Sequence, residues 1–316
     1  MIPIADIEAA RDRIRDVSVR TPLIRLHVPE SPAEIWLKLE CLQPIGSFKI
    51  RGAANAMRSA PAGSLARGVF TTSAGNMAQG VAWMAREENV TATIVVPDHA
   101  PEAKLAAIER LGGRVIKVPF DRWWQAMVEG GYPGVDGYFV HPVQDHAVMA
   151  GNGTIGLELV EDLDNIDAVL VPWGGGGLTT GIASALRARS PGTKVYSCEP
   201  ASGAPMHASF AAGVPTEALN YAPSFVDGAG SRTLLPAMWD IARPLLAGTF
   251  APTLEETAAT IRMLVGRARV VAEGAGALAL AAAMTGGAGT GRIVCIVSGG
   301  NIDPAKLATI LQGSVP

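Results

Sequence analysis

The sequence has little charge, and neither sign predominates. Its 316 residues include 26 Lys and Arg against 29 Asp and Glu, for a formal net charge of -3, and both signs are scattered along the chain. Because no basic stripe is present, nucleic acid is not an expected partner. An anionic ligand would have to be held mainly by backbone N–H groups and helix N-termini.

Cysteine is also scarce. Cys41, Cys198 and Cys295 are isolated and form no CxxC pair. Such residues are predicted to be buried free thiols rather than metal ligands or nucleophiles. The five histidines show no metal-ligand spacing either, and His141 and His146 are predicted to be structural.

Targeting and membrane signals are missing from the sequence. The first six residues have no basic start followed by an apolar stretch, as a signal peptide would. The longest candidate apolar run, Ala275 to Met284, is too short to span a membrane. We therefore expect a cytoplasmic protein with no membrane partner.

Apolar segments are abundant, and their order predicts an α/β fold. Hydrophobic residues make up 48% of the chain, which is enough for a large core, and its length suggests two domains of about 150 residues. Strand patterns at 69–72, 91–96 and 115–118 alternate with helical patterns at 77–88 and 102–111. This alternation predicts parallel sheets covered by helices on both faces.

One lysine lies at a junction suited to covalent chemistry. Lys49 follows the turn Gly46-Ser47 and precedes a helix predicted over 50–60. The neighbours Phe48 and Ile50 could desolvate its amine, which would disfavour the ammonium form and favour a nucleophilic lysine. Taken alone, the pattern fits a solvated surface lysine at least as well.

Three small-residue loops follow predicted strands, at 73–76, 174–177 and 298–301. Ligands of open α/β sheets bind beyond the carboxyl ends of the strands, so these loops are expected to converge. The four glycines at 174–177 precede a helix and predict a phosphate site, although they match neither the P-loop nor GxGxxG. Because Glu199 ends the next strand, where a ribose-binding acid would lie, a nicotinamide-dependent oxidoreductase is a competing hypothesis.

The motifs together resemble one enzyme family. Residues 44–53, PIGSFKIRGA, resemble the lysine motif of the threonine/serine dehydratases, which are fold-type II, tryptophan-synthase-like pyridoxal phosphate enzymes. Residues 73–80 resemble the substrate loop of that family, 174–178 its phosphate loop and 298–301 its terminal loop. The segments 140–142 and 151–154 also match, so the resemblance runs in order along nearly the whole chain.

The resemblance implies a fold with two open parallel-sheet, three-layer α/β domains. Residues 1–67 and 146–316 would form the large cofactor-binding domain, and residues 68–145 the small domain that carries the substrate loop. The chain ends soon after the terminal loop, so no regulatory domain is expected and a catabolic role is favoured. A homodimer is expected from the family.

The resemblance also implies roles for individual residues. Lys49 would hold pyridoxal 5'-phosphate covalently and abstract the Cα proton, with Phe48 packed against the ring and Ser298 facing the pyridine nitrogen. Asn76 would bind the pyridine hydroxyl. The phosphate would be bound by Gly174, Gly175, Gly176, Gly177 and Leu178, and the amino-acid substrate by Ser73, Ala74, Gly75, Asn76 and Met77. Glu273 matches a family acid near the cofactor edge.

A serine at the pyridine nitrogen implies elimination rather than transamination. Its hydroxyl does not keep the nitrogen protonated as a carboxylate would, so loss of a β-leaving group is favoured. The expected reaction converts a β-hydroxy amino acid of the threonine or serine type to a 2-oxo acid and ammonia. Amino-acid racemisation is the alternative within the fold, but Ala74 replaces the second serine that racemases use as an acid/base. A catalytically silent ligand-binding protein is a third alternative.

Three departures from the family pattern bear on substrate and metal. Met77 stands where a histidine is usual, and the run Phe120 to Trp124 is unusually aromatic. Met77 would enlarge or dry the pocket for the β-substituent of the substrate. The aromatic run predicts either interdomain or dimer packing, or a pocket for a larger, aryl-serine substrate. Glu199 matches one ligand of a family divalent-cation site, but Pro205 replaces the second carboxylate, so no metal site is predicted and dependence on a cation stays open.

Overall fold

The structure is a computed structural model that describes residues 1–316. Its ten strands are β1 (Leu23–Leu26), β2 (Glu34–Lys38), β3 (Val69–Thr72), β4 (Ala92–Pro97), β5 (Gly113–Val118), β6 (Tyr138–Phe139), β7 (Ala168–Pro172), β8 (Lys194–Cys198), β9 (Gly248–Phe250) and β10 (Arg292–Ile296). Its twelve α-helices are α1 (Ile4–Ile14), α2 (Lys49–Arg58), α3 (Asn76–Glu87), α4 (Glu102–Arg110), α5 (Phe120–Glu129), α6 (His146–Asp162), α7 (Gly177–Arg189), α8 (Pro205–Ala212), α9 (Pro236–Ala242), α10 (Leu254–Met263), α11 (Gly274–Met284) and α12 (Pro304–Leu311).

The larger sheet has six strands in the order β1-β2-β10-β7-β8-β9. All neighbours are parallel except β1 and β2, which pair antiparallel. Along β7, Ala168 and Leu170 belong to one apolar core, whereas Val169 and Val171 belong to a second core. Successive side chains of a strand point to opposite faces, so both faces of this sheet are covered, as the continuous apolar run predicts.

The smaller sheet has four parallel strands in the order β5-β4-β3-β6, and all of them lie between residues 69 and 139. Its core also takes in Ala53 and Met57 of helix α2, together with Met77 and Val81 of α3. Helix α2 therefore packs its apolar face against α3 and shares the core of the smaller sheet, although its sequence precedes that sheet. The two parallel-sheet layers confirm the predicted fold class.

The sequence pattern predicts a helix only after Thr154, whereas α6 begins at His146. The glycines at 151 and 153 indicate a loop, yet both lie inside the helix. A Cβ at Gly151 would overlap the carbonyl group of Arg51, and one at Gly153 would lie 3.0 Å from the carbonyl oxygen of Gly181. The glycines thus serve close helix packing, and Asp145 caps the true start by accepting from the N–H of Ala147 at 2.7 Å.

The segment 201–250, which carries no clear sequence period, contains helices α8 and α9 and strand β9. Each helix begins at a proline, Pro205 or Pro236, because the first helical position needs no N–H donor. Strand β1 and helix α12 also lie outside the predicted elements. No helix in residues 1–316 has the length and apolar character needed to cross a bilayer.

Candidate active site

Lys49 is the first residue of α2, and the turn before it is bound to the loop that follows β10. The N–H of Phe48 donates to the carbonyl oxygen of Ser298 at 3.0 Å. Ser47 forms a bridge with Gly299, and the N–H of Gly300 donates to the carbonyl oxygen of Gly46 at 2.9 Å. The lysine turn and the terminal loop, 250 residues apart in sequence, are therefore neighbours, as predicted.

The Lys49 amine has an unusual environment. It is half-buried, its Nζ donates to the carbonyl oxygen of Pro142 at 3.0 Å, and it lies 5.3 Å from the centroid of the Phe48 ring. Burial lowers the pKa of Lys49 to about 8, although the negative charge of Glu273 acts to raise it. A neutral amine is therefore available near physiological pH, which is what a covalent lysine or a general base requires.

The glycine loop 174–177 joins the buried strand β7 to the N-terminus of helix α7. Gly176 has a φ of +92°, and a Cβ there would overlap the ring of Trp173. A Cβ at Gly175 would overlap Val143, which follows the carbonyl that Lys49 binds. Positions 175 and 176 of this cradle therefore require glycine, and the cradle lies at the N-terminus of a 13-residue helix, where backbone N–H groups favour a phosphate. The loop therefore fits the phosphate of pyridoxal phosphate.

Leu178 follows the cradle and is buried in the core of the larger sheet. Its side chain is thus a packing residue, and a contribution to phosphate binding would come from its backbone. Ser298 is 2% exposed and lies where β10 ends, next to the lysine turn. The structure brings both predicted residues to the carboxyl ends of the strands of the larger sheet.

The predicted substrate loop, Ser73 to Asn76, connects β3 to the start of α3. Ser73, Ala74, Gly75 and Asn76 are all half-buried, and the Ser73 hydroxyl accepts from the N–H of Gly75 at 3.2 Å. Met77, in contrast, is 1% exposed and belongs to the core of the smaller sheet. Its surroundings favour a packing role over a contact with the substrate side chain.

A chain of three polar side chains joins the loops. The Asn301 amide Nδ2 donates to Asn76 Oδ1 at 2.7 Å, and Asn76 Nδ2 donates to Glu273 Oε1 at 2.8 Å. Glu273 is buried, and its burial, assisted by the charge of Asp227, raises its pKa to about 7. We call these three residues the amide–carboxylate chain. Of its members, Asn301 has no role in the sequence-based prediction.

Below the lysine turn lies a buried ion network that sequence patterns do not reveal. Arg51 donates to Glu40 Oε2 at 2.8 Å and to Glu158 Oε1 at 2.6 Å, and Lys38 Nζ lies 2.6 Å from Glu158 Oε2. Burial by itself would raise the pKa of Glu40, but the Arg51 guanidinium outweighs burial and the pKa is lowered. The network ties the first turn of α2 to β2 and α6, because Arg51 is two residues from Lys49.

Glu199 is a helix cap in this structure. Its carboxylate accepts from the N–H groups of Met206 at 3.2 Å and His207 at 2.9 Å, at the start of α8. Burial raises its pKa to about 8. No group of three His, Cys, Asp or Glu residues is placed to hold a metal ion. These two hydrogen bonds therefore explain the buried position of the Glu199 side chain as a cap of α8.

The three cysteines and His141 behave as the sequence predicts. Cys41, Cys198 and Cys295 are buried free thiols. His141 Nδ1 accepts from the N–H of Val143 at 3.0 Å, and burial lowers its pKa to about 4. A neutral histidine thus shapes the segment that carries Pro142, which is a structural role.

The aromatic run lies on an outer face of α5. Phe120, Trp123 and Trp124 form tilted ring contacts in sequence, with centroids 5.5 and 6.4 Å apart, and the Phe120 ring centroid lies 5.9 Å from that of His99. Phe120 is 48% and Trp124 40% exposed. None of these contacts reaches the three loops, so the cluster does not favour an aromatic substrate pocket.

A cavity of about 430 Å³ adjoins the site on the side of Glu273 and Asn301. It lies between α4 and the start of α12 and is bordered by the ion pair of Lys104 Nζ and Asp227 Oδ2, which are 2.6 Å apart. Lys49 does not line it. Two members of the amide–carboxylate chain, Glu273 and Asn301, therefore line this cavity on one side.

Comparisons with known proteins concern the chain as a whole. Residues 14–299 match the family described as pyridoxal-phosphate dependent enzyme. An L-threonine ammonia-lyase of Geobacter sulfurreducens is 37% identical over 318 residues, which cover 99% of this chain and 79% of that protein. The structure of maize serine racemase is similar with a TM-score of 0.88 at 29% identity, covering 98% of this chain and 97% of the racemase. The structure of the processed form of threonine deaminase isoform 2 from Solanum lycopersicum is similar with a TM-score of 0.87 at 32% identity, covering 98% of this chain and 92% of the deaminase chain.

Proposed function

This chain belongs to the family of pyridoxal-phosphate dependent enzymes, and we propose that within it the protein is an ammonia-lyase. The substrate would be a β-hydroxy amino acid of the threonine or serine type, converted to a 2-oxo acid and ammonia. The observation that carries the proposal is the position of Lys49. Its amine donates to the carbonyl oxygen of Pro142, the next residue Val143 packs against the glycine cradle, and the turn before it is hydrogen-bonded to the terminal loop. The similarity to a threonine ammonia-lyase over 99% of the chain supports the reaction class.

When bound, pyridoxal phosphate supplies an electron sink that acidifies the substrate Cα–H bond. The backbone N–H groups of Gly174, Gly175, Gly176 and Gly177 would hold its phosphate at the start of α7. Phe48 would pack against the ring, and Asn76 would donate its remaining amide hydrogen to the ring hydroxyl. Ser298 would face the ring nitrogen with a neutral hydroxyl.

Lys49 would first bind the cofactor and then carry the proton in the reaction. Its neutral amine would accept the proton from the substrate Cα, which is general-base catalysis. The carbonyl of Pro142 accepts from this amine and can hold it in position in either charge state. Burial would exclude water from the reacting carbon.

The substrate carboxylate would be held by the Ser73 hydroxyl and by N–H groups of the loop between β3 and α3, including the backbone N–H of Asn76. Ala74 lies in this loop and has no proton to transfer. Racemisation, suggested by the similarity to maize serine racemase, is therefore the lesser candidate. An aryl-serine substrate has less support than threonine or serine, because Met77 is a core residue and the aromatic run faces outward.

The remaining assignments are part of the same proposal. Residues 68–145 would form a small domain that closes over the site, and the protein would work as a homodimer in the cytoplasm. The small-sheet strands between residues 69 and 139 support that division, while helix α2 connects the two layers.

A substrate panel tests the reaction. The loaded enzyme is incubated with L-threonine, L-serine, both phenylserine diastereomers and the D-enantiomers, and ammonia, 2-oxo acid and the enantiomer formed are measured. We expect equal amounts of ammonia and 2-oxo acid, with threonine or serine having the highest kcat/KM. Faster formation of D-serine than of pyruvate from L-serine would show that the enzyme is a racemase.

A further inference from the structure

We propose that Asn301 is a positioning residue that fixes the orientation of the Asn76 amide and ties it to the lysine turn. The proposal deepens the proposed function, because Asn76 is the residue expected to contact the cofactor ring hydroxyl. Asn301 itself touches neither reactant and would act through Asn76.

Both amide hydrogens of Asn301 are engaged by different loops. Its Nδ2 donates to the carbonyl oxygen of Ile45 at 2.8 Å and to Asn76 Oδ1 at 2.7 Å. Ile45 is four residues before Lys49, and Asn76 begins helix α3. One planar amide thus sets the distance between the lysine turn and the substrate loop, which come from the two different sheets.

The fit around this amide is tight. Gly46 has a φ of +71°, and a Cβ there would lie 2.5 Å from Asn301 Oδ1. The glycine therefore serves two purposes, since it permits the turn before Lys49 and leaves room for the Asn301 side chain.

The direction of the hydrogen bonds determines which way Asn76 faces. Asn301 donates to Asn76 Oδ1, so the NH₂ group of Asn76 must face Glu273, which accepts from it at 2.8 Å. An amide carries two N–H donors, so one hydrogen of Asn76 remains for a ligand. If the amide were turned over, its oxygen would face the Glu273 carboxylate and repel it.

Three variants of the loaded enzyme test whether Asn301 orients the Asn76 amide. Asn301→Asp keeps the side-chain shape but places a carboxylate beside Ile45 and Asn76. The Asn76 oxygen then faces a carboxylate in both orientations of its amide, either the new one at 301 or that of Glu273. Glu273→Gln keeps an acceptor for Asn76. In the double variant the hydrogen bonds of the amide–carboxylate chain can all reverse their direction, with Gln donating to Asn76 from position 273 and Asp accepting from Asn76 at position 301. Asn220→Asp is the control, because it adds the same charge at an exposed position.

The measurements are the visible absorption spectrum, the cofactor dissociation constant, the thermal midpoint, kcat and KM, all at pH 8.5, where Glu273 is ionised. We expect Asn301→Asp to lower kcat/KM at least about tenfold, to weaken cofactor binding and to shift the absorption maximum. The double variant should regain the thermal midpoint but not the spectrum or kcat, since Asn76 is turned over.

Two results would overturn the proposal. One is an Asn301→Asp enzyme with the spectrum, cofactor affinity and kcat/KM of the wild type. The other is a double variant that regains the spectrum and kcat together, because the orientation of Asn76 would then not matter. The spectrum and the cofactor affinity do not depend on the substrate, so Asn301 is tested even if the wild type releases no ammonia.

Discussion

Lys49 Nζ lies 3.0 Å from the carbonyl oxygen of Pro142, and this hydrogen bond joins helix α2 to the segment that leaves the smaller sheet. The partner is a neutral carbonyl rather than a carboxylate, so the ammonium form gains little stabilisation from it. Desolvation therefore determines the direction of the pKa shift.

Replacing this lysine should remove the reaction. Lys49→Ala is expected to lower kcat for ammonia release by about 10³-fold or more, because the proposed general base and the proposed covalent link to the cofactor would be lost together. The visible absorbance band that borohydride abolishes in the wild type should be missing. Lys117→Gln removes a lysine of an exposed ion pair with Glu102 and should keep both signals. A variant that retains the wild-type rate would identify a different base.

The same lysine should make the cofactor-free protein less stable. Its pKa is about 8 when folded and about 10.4 when unfolded. Below pH 8 the buried ammonium therefore destabilises the folded state fully, and this effect fades as the pH rises from 8 to above 10. Lys49→Met should raise the thermal midpoint at pH 7, with a smaller gain at pH 9.5. Lys194→Met, at an exposed position, should change the thermal midpoint little at either pH. An increase for Lys49→Met that is the same at pH 7 and pH 9.5 would contradict the difference in pKa between the folded and unfolded states.

The glycine cradle should tolerate no side chain. Gly176→Ala would strain a φ of +92° and force its Cβ into Trp173, so cofactor affinity is expected to fall by about tenfold or more. Gly175→Ala should do the same, and adding Val143→Ala should restore part of the loss because the overlapping methyl groups are removed. The measurement is the fluorescence titration of cofactor-free protein with pyridoxal phosphate. Gly192→Ala meets no atom within 4 Å and is the control.

The ion network under α2 should matter for stability. Arg51→Met leaves Glu40 and Glu158 buried without the guanidinium between them, so the free energy of unfolding is expected to fall by about 3–5 kcal/mol. Urea unfolding of the cofactor-free protein measures it. The matched control is Arg267→Gln, which breaks the solvent-exposed pair with Glu30 and should leave the free energy of unfolding nearly unchanged. Equal losses for the two variants would mean that the network is not a stabilising unit.

Much of the fold follows from local pattern. The strand over 69–72, the strand over 194–198 and the glycine loop before α7 were all predictable, because periodicity and glycine placement act over a few residues. The start of α6 was not predictable, because Gly151 and Gly153 indicate a loop in the sequence. Only the tertiary structure shows the helices against which they pack. Met77 likewise suggested a substrate pocket, yet it is a core side chain.

The sequence by itself determined which groups the proposed chemistry depends on: a lysine after a small-residue turn, four glycines before a helix and a serine after the last strand, in one family order. Only the tertiary structure decided how those groups are coupled. The hydrogen bonds of Asn76 with Glu273 and Asn301 join residues that are 197 and 225 positions apart, and Arg51 meets Glu158 107 residues later. Contacts of that separation leave no local pattern, because they depend on how the two sheets and helix α2 pack together.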